Sequence, residues 1–277
     1  MGLGNTAKRV LVSIVSIPVI LAACYFGGIF FSVLVFGIAS ISFYEFNSLA
    51  KNKGANVNLI AGEVFILILL LNQFQPFISY GSLFLIIIFL ISLFELYRNN
   101  GSAILNIGST FLGIFYIGIF SSALIGIREF YSADIANYAR GGYLIISILA
   151  AIWICDSAAF FGGTALGKHK IFPRVSPKKS WEGALFGFIF SVLTMILAHQ
   201  LLLNFLPWIE VIIFGIIIGT VGQLGDFVES LLKRDAGVKD SSNIIPGHGG
   251  VFDRFDSLLF SAPIILLTLK YFASFKL

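Results

Sequence analysis

The chain has 277 residues, of which 58% are hydrophobic and only 12% charged, whereas a soluble domain carries about 25% charged residues. That shortage excludes an aqueous exterior and leaves an integral membrane protein with no stretch polar enough for a separate soluble domain. The net charge of +4 comes from basic residues dispersed along the flanks of apolar runs, so it does not point to nucleic acid as a partner.

Crossing a hydrocarbon core ~30 Å thick takes about 20 apolar residues in a helix. Nine runs fit: 10–26, 29–46, 59–74, 79–97, 103–127, 143–165, 183–206, 208–232 and 257–275. The predicted fold is all-α, a polytopic helical bundle of about nine transmembrane helices in a single membrane domain. Helices one to five occupy 1–142, and helices six to nine with their loops occupy 143–277. The first run follows Lys8 and Arg9 and reaches Leu21-Ala22-Ala23-Cys24, which resembles a lipoprotein signal with its lipid-accepting cysteine. Further spans anchor the chain regardless, so the reading here is a first membrane helix. Gly27-Gly28 then makes a tight turn into the second run. Cys24 and Cys155 both lie in apolar runs, which argues against a disulfide framework. Glu45, Glu63 and Glu95 fall near helix ends and are expected to face headgroups or to pair with Lys51, Lys53 or Arg98. Pro207 divides the seventh run from the eighth.

Counted by loop, 14 of the 18 basic residues fall on one side of this topology. Lysine and arginine mark the cytoplasmic side. The N-terminus and the two basic loops are therefore placed in the cytoplasm, and an odd number of spans puts the C-terminus outside.

Acidic side chains inside membrane helices are costly and are functional candidates by default. Asp156 lies about 15 Å, and Asp226 about 10 Å, from the cytoplasmic helix end at a rise of ~1.5 Å per residue. Glu229 is one turn nearer the surface than Asp226. Each could instead fix helix packing through an internal hydrogen bond or ion pair.

The loop Lys168–Glu182 reads KHKIFPRVSPKKSWE. Ser180 is placed to cap the seventh helix, whose free N–H groups would then face an anion, and Trp181 would sit at headgroup depth. An ordinary positive-inside loop explains Lys178 and Lys179, but not the order Ser-Pro-Lys-Lys-Ser-Trp-Glu-Gly.

Polar residues concentrate most between Asp226 and Asp256. Asp226 with Glu229, and Asp253 with Asp256, are each spaced to share a helix face. Between them stand Lys233, Arg234 and Lys239, then the turn Pro246-Gly247-His248-Gly249-Gly250, whose N–H groups can approach a ligand. Paired carboxylates, basic side chains and a glycine turn are what metal-assisted phosphate chemistry needs. Asp226 and Asp253 are read as metal ligands converging on one cation, while Asp235 at the helix end is read as solvated. A lone histidine such as His248 is more often a structural hydrogen-bonding group than a base. There is no His/Cys zinc cluster, no Gly-x-Ser-x-Gly elbow and no Walker loop.

These residues resemble the signature of the phosphatidate cytidylyltransferases (CDP-diacylglycerol synthases). It stands here as Ser230, Lys233, Arg234, Lys239, Asp240, Ser242, Pro246, His248, Gly249, Gly250, Asp253, Arg254 and Asp256. Asp156-Ser157 and the run Ser176 to Gly183 are similar to the family's upstream elements, so the likeness covers about residues 150–260.

The resemblance implies a Mg²⁺-dependent reaction in which CTP and phosphatidic acid give CDP-diacylglycerol and pyrophosphate. It places the metal on Asp226 and Asp253, with a second cation such as K⁺ as a possible companion. Asp156, Glu229, Asp240 and Asp256 are the alternative or supporting ligands. On this reading Lys239 and Arg254 act at the reacting phosphates with the two aspartates. Lys178, Lys179, Ser180, Lys233, Arg234, His248, Gly249 and Gly250 bind substrate. The expected setting is the bilayer of a bacterial inner membrane, with the site facing the cytoplasm and a homodimer among the oligomeric options. The rival readings are a CTP-dependent lipid-alcohol kinase and, from another class, an ion-coupled transporter.

Overall fold

The computed structural model describes residues 5–274 apart from Pro246 and His248. Among these residues the chain forms nine helices, joined by short loops, and no strand. They are α1 (Asn5–Phe26), α2 (Gly28–Asn52), α3 (Leu59–Phe74), α4 (Tyr80–Arg98), α5 (Ala103–Arg128), α6 (Ala139–Leu166), α7 (Trp181–Leu201), α8 (Trp208–Asp235) and α9 (Phe252–Ser274). Each overlaps one of the nine apolar runs, though α7 ends at Leu201, ahead of the predicted end at 206, and the fold is an all-α polytopic membrane protein. Seven helices, α2 and α4 to α9, are long and apolar enough to cross a membrane, while α1 and α3 hold the shorter stretches Val12–Phe26 and Leu59–Phe74.

Helix starts are closed by polar side chains that accept the first open N–H groups. Asn58 accepts from Ala61 N–H at 3.2 Å and Ser79 from Ser82 N–H at 3.1 Å. Ser180 accepts from Gly183 N–H at 3.3 Å, so it caps α7 as its sequence position predicts. Two helices contain a π-helical turn: Ile114–Ile119 in α5 and Ile218–Gly222 in α8.

The chain packs as two compact units. The first holds residues up to Val19, Ile29–Gly126 and Leu232–Phe255; the second holds Ile20–Gly28, Ile127–Leu231 and the residues from Asp256 on. In the first unit the fully buried Phe43 ring of α2 is the centre of packing. It fits against Gly62 of α3 and Gly113 of α5, where an added Cβ would come within 2.2 Å and 2.5 Å of the ring. A polar cluster ties the loops above it. Asn106 donates to Glu95 Oε1 at 2.5 Å, and Arg98 pairs with Glu95 at 3.1 Å as expected.

In the second unit α6, α7 and α8 approach through small residues, which lets backbones meet where apolar burial alone gives no preference. A Cβ on Gly183 of α7 would lie 2.6 Å from the Ala159 carbonyl of α6. Ser191 of α7 donates to the Gly215 carbonyl of α8 at 2.9 Å. The end of α1 is closed by a charge. Arg128 has no exposed surface, and it donates to Cys24 O at 2.6 Å and Tyr25 O at 2.8 Å. Its neighbour Glu129 accepts from Gly28 N–H at 2.8 Å. The turn between α1 and α2 needs Gly27, because its φ is +66° and a Cβ would overlap the Arg128 guanidinium at 2.2 Å. Replacing Arg128 by Met strands these carbonyls, and each lost charged hydrogen bond is worth about 1.5–3 kcal/mol. The expected result is a clearly lowered unfolding midpoint in detergent, measured by thermal or denaturant titration.

Candidate active site

The residues singled out by the sequence fall into two constellations, one in each unit. In the first unit, Lys233 lies in the last turn of α8 and Asp253 in the first turn of α9. Lys233 Nζ lies 2.5 Å from Asp253 Oδ1, and the aspartate side chain is only 5% exposed. Asp253 Oδ2 accepts from Gly250 N–H at 2.7 Å and Ser241 N–H at 3.0 Å, and it lies 3.0 Å from Ser241 Oγ. One carboxylate oxygen therefore faces an ammonium while the other is held by the loop before α9. Burial of such a charge is tolerable only because it is both paired and hydrogen-bonded. Gly249, with φ +84°, brings the backbone so near that a Cβ would sit 2.8 Å from Asp253 Oδ2.

Around this pair, Lys239, Asp240 and Arg254 are exposed. Arg234, also exposed, donates to Val238 O at 2.9 Å and so secures the end of α8. Asp235 is exposed as expected and pairs with Lys53 at 3.3 Å. His248, assigned to substrate from the sequence, lies outside the described residues, as does Pro246.

In the second unit, Lys179 forms an ion pair with Asp226 of α8, and its Nζ lies 4.7 Å from the centroid of the Phe227 ring. Phe227 packs edge-on against Phe172 at 5.1 Å. The basic loop is thus pinned to α8 by one lysine and one aromatic contact. Asp226 Oδ1 also accepts from Ser230 Oγ at 3.3 Å. Asp256, buried on α9, accepts from Ser257 N–H at 2.6 Å and is within electrostatic reach of Asp226, Asp156 and Lys179. Glu229 is fully buried. Lys178 is exposed, and its carbonyl accepts from Lys170 Nζ at 3.3 Å. At the start of α7, Glu182 turns back to the Lys168 and His169 N–H groups, which fixes the base of the loop.

One expectation is corrected. Glu45 does not face headgroups or pair with Lys51 or Lys53: it is completely buried in the first unit. Its Oε1 accepts from Ser242 Oγ at 2.5 Å and Val251 N–H at 2.9 Å. Its Oε2 accepts from Phe252 N–H at 2.8 Å and lies 2.9 Å from Ser241 Oγ. The open N–H groups at the start of α9 draw the carboxylate in. Hydropathy ends the second run at residue 46, whereas α2 continues to Asn52 and places Glu45 inside a helix instead of at its end.

Among the described residues, no group of three or more His, Cys, Asp or Glu side chains forms a ready metal cage. The donors on hand are hard carboxylate oxygens, which suit a hard divalent cation such as Mg²⁺. Asp226 and Asp253 each hold a lysine ammonium, so a metal at either carboxylate would take that ammonium's place.

The chain matches the cytidylyltransferase family over residues 7–272. It is 31% identical to a phosphatidate cytidylyltransferase of Bacillus subtilis (strain 168) over 271 residues, covering 96% of this chain and 98% of that protein. Similar relatives carry the same name in Staphylococcus haemolyticus, 31% identical over 94% of this chain and 98% of theirs, and in Synechocystis, 30% identical over 93% and 94%.

The glycine turn supplies a test of the packing. A Cβ on Gly250 would lie 2.0 Å from Ser241 Oγ and 2.5 Å from Glu45 Oε2, whereas one on Gly37 meets nothing within 4 Å. Gly250→Ala should destabilise the protein by the ~1–3 kcal/mol typical of overpacking, read as a lowered unfolding midpoint in detergent, and Gly37→Ala should not lower that midpoint.

Proposed function

The chain belongs to the cytidylyltransferase family and is a nucleotidyltransferase; we propose that it converts CTP and phosphatidic acid into CDP-diacylglycerol and pyrophosphate. The observation that carries this reading is the pair of buried or half-buried lysine–aspartate contacts, Lys179 with Asp226 and Lys233 with Asp253. Each joins a phosphate-binding cation to a carboxylate suited to a metal. The names of the relatives supply the substrate class.

In this reaction an oxygen of the lipid phosphate attacks the α-phosphorus of CTP. The new P–O bond forms as the bond to the β-phosphate oxygen breaks, and pyrophosphate leaves with that electron pair. Both reactants are anions, so charge neutralisation is the main requirement. Asp226 and Asp253 are the carboxylates assigned to Mg²⁺, with Asp156, Glu229, Asp240 and Asp256 in support. When bound, the metal would offset the repulsion between the phosphates. A monovalent cation such as K⁺ is compatible with the same donors.

The lysines have a second use. An ammonium released from its aspartate is free to bind a phosphate oxygen, so Lys179 and Lys233 exchange one anion for another without stranding a charge. Exposed Lys178, Lys239, Arg234 and Arg254 bind the remaining phosphate oxygens, the arginines in two-point contacts. A phosphate monoester is already ionised near neutral pH, with a second pKa of about 6, so no strong general base is called for. The bias of lysine and arginine toward these loops supports a cytoplasmic site. The bacterial sources of the relatives support a cell-membrane location.

Asp226→Asn and Asp253→Asn should each reduce Mg²⁺-dependent formation of lipid-soluble cytidine product to background. The assay uses purified protein in detergent with labelled CTP and phosphatidate. Full activity in either variant removes the metal assignment, and release of CDP in place of pyrophosphate identifies a kinase instead.

A further inference from the structure

Glu45 takes no part in the reaction as set out above, yet it is completely buried and meets four donor groups of the first unit. We propose that Glu45 is a positioning residue for nucleotidyl transfer, acting on Asp253 through Ser241. The inference rests on the assignment of Asp253 to the reaction.

Among the described residues, the hydrogen-bond partners of Glu45 come from one stretch of chain about two hundred residues away: Ser241, Ser242, Val251 and Phe252. α9 begins at Phe252, and the residue before it is Val251, whose side chain cannot accept a hydrogen bond. The helix lacks a cap of its own, so α2 supplies one. A carboxylate suits this place, because it answers two open N–H groups and the positive end of the helix dipole together. The arrangement then passes to the reacting group. Ser241 Oγ lies 2.9 Å from Glu45 Oε2 and 3.0 Å from Asp253 Oδ2. The hydroxyl has one proton and gives it to one carboxylate at a time; with Ser241 held against Glu45, its N–H fixes Asp253 Oδ2 at 3.0 Å, and Oδ1 is left toward Lys233.

The residue type follows from the donors. Both Glu45 oxygens must accept, one from Val251 N–H and the other from Phe252 N–H. A glutamine amide has only one accepting oxygen, so either way round it turns its NH₂ toward a backbone N–H. An aspartate is one methylene too short. Gly250 completes the fit, since any side chain there would overlap Glu45 and Ser241.

The test uses the full-length protein in detergent, assayed with CTP, phosphatidate and Mg²⁺ and followed in parallel by amide hydrogen exchange. Glu45→Gln should lower kcat by about 10–100-fold, the range seen when a group supporting a metal-binding carboxylate is lost. It should also raise the Mg²⁺ concentration giving half-maximal rate, which a mere loss of folded protein would leave unchanged. Exchange should quicken across 241–252 while α7 stays as in the wild type. Ser241→Ala removes the hydroxyl that faces both carboxylates but leaves Glu45 on the Val251 and Phe252 N–H groups, so it should move kcat and the Mg²⁺ requirement in the same direction without quickening exchange at Val251 and Phe252.

Wild-type kinetics for Glu45→Gln overturn the proposal, and so does exchange that rises as much in α7 as in 241–252. If Glu45→Gln does not accumulate, wild-type kcat and Mg²⁺ requirement for Ser241→Ala overturn it alone. A wild-type protein that makes no lipid-soluble cytidine product sinks the reaction assignment instead, and the exchange measurement then decides the anchoring by itself.

Discussion

A carboxylate withdrawn from water must be met by donors or by positive charge, and in a chain this poor in charge each such meeting fixes a piece of backbone. Asp253 is met by Lys233, Ser241 and Gly250. Glu45 is met by the first N–H groups of α9, and Glu95 by Asn106 and Arg98. The mirror case is Arg128, a buried cation whose partners are the carbonyls at the end of α1. Apolar burial brings the helices together without choosing one register, because every face is greasy. The polar contacts make that choice.

The same economy of charge suits the chemistry. A site that gathers two anionic substrates needs cations, but unpaired lysines among apolar helices would be expensive to hold. Pairing Lys179 with Asp226, and Lys233 with Asp253, stores the positive charge in neutral form. In the proposed reaction, substrate arrival would redistribute contacts without creating a bare ion. Phe227 beneath Lys179 adds a ring face that holds the ammonium without competing for its hydrogen bonds.

Much of the fold was legible in the sequence because a lipid-facing helix has to be apolar over its whole length, and nine such runs are hard to miss. The cap at Ser180 was legible for a local reason: a short polar side chain precedes the helix start. The residues of the two constellations were legible through their types and spacings. Partner choice was not. Lys179 and Asp226 are 47 residues apart and Ser241 and Glu45 are 196 apart, and no periodicity connects them. Glu45 was misjudged because hydropathy ends a helix where apolar residues stop, whereas α2 runs on through polar residues to Asn52. The π-helical turns left no trace in hydropathy, since a residue added to an apolar stretch is one more apolar residue.

The turn at Ile218–Gly222 bears on how the second constellation is aimed. An α-helix advances about 100° per residue, and a π-helical turn holds one extra residue within a single turn. Within α8, Gly215 packs on Val192 ahead of that turn, Gly219 packs on Ser191 inside it, and Asp226 and Ser230 follow it. The turn takes up its extra residue locally and keeps the helix in phase on either side. Losing one apolar residue inside it would restore an ordinary α-helix and leave Asp226 facing Lys179, whereas the same deletion elsewhere in α8 would swing the aspartate through about 100°.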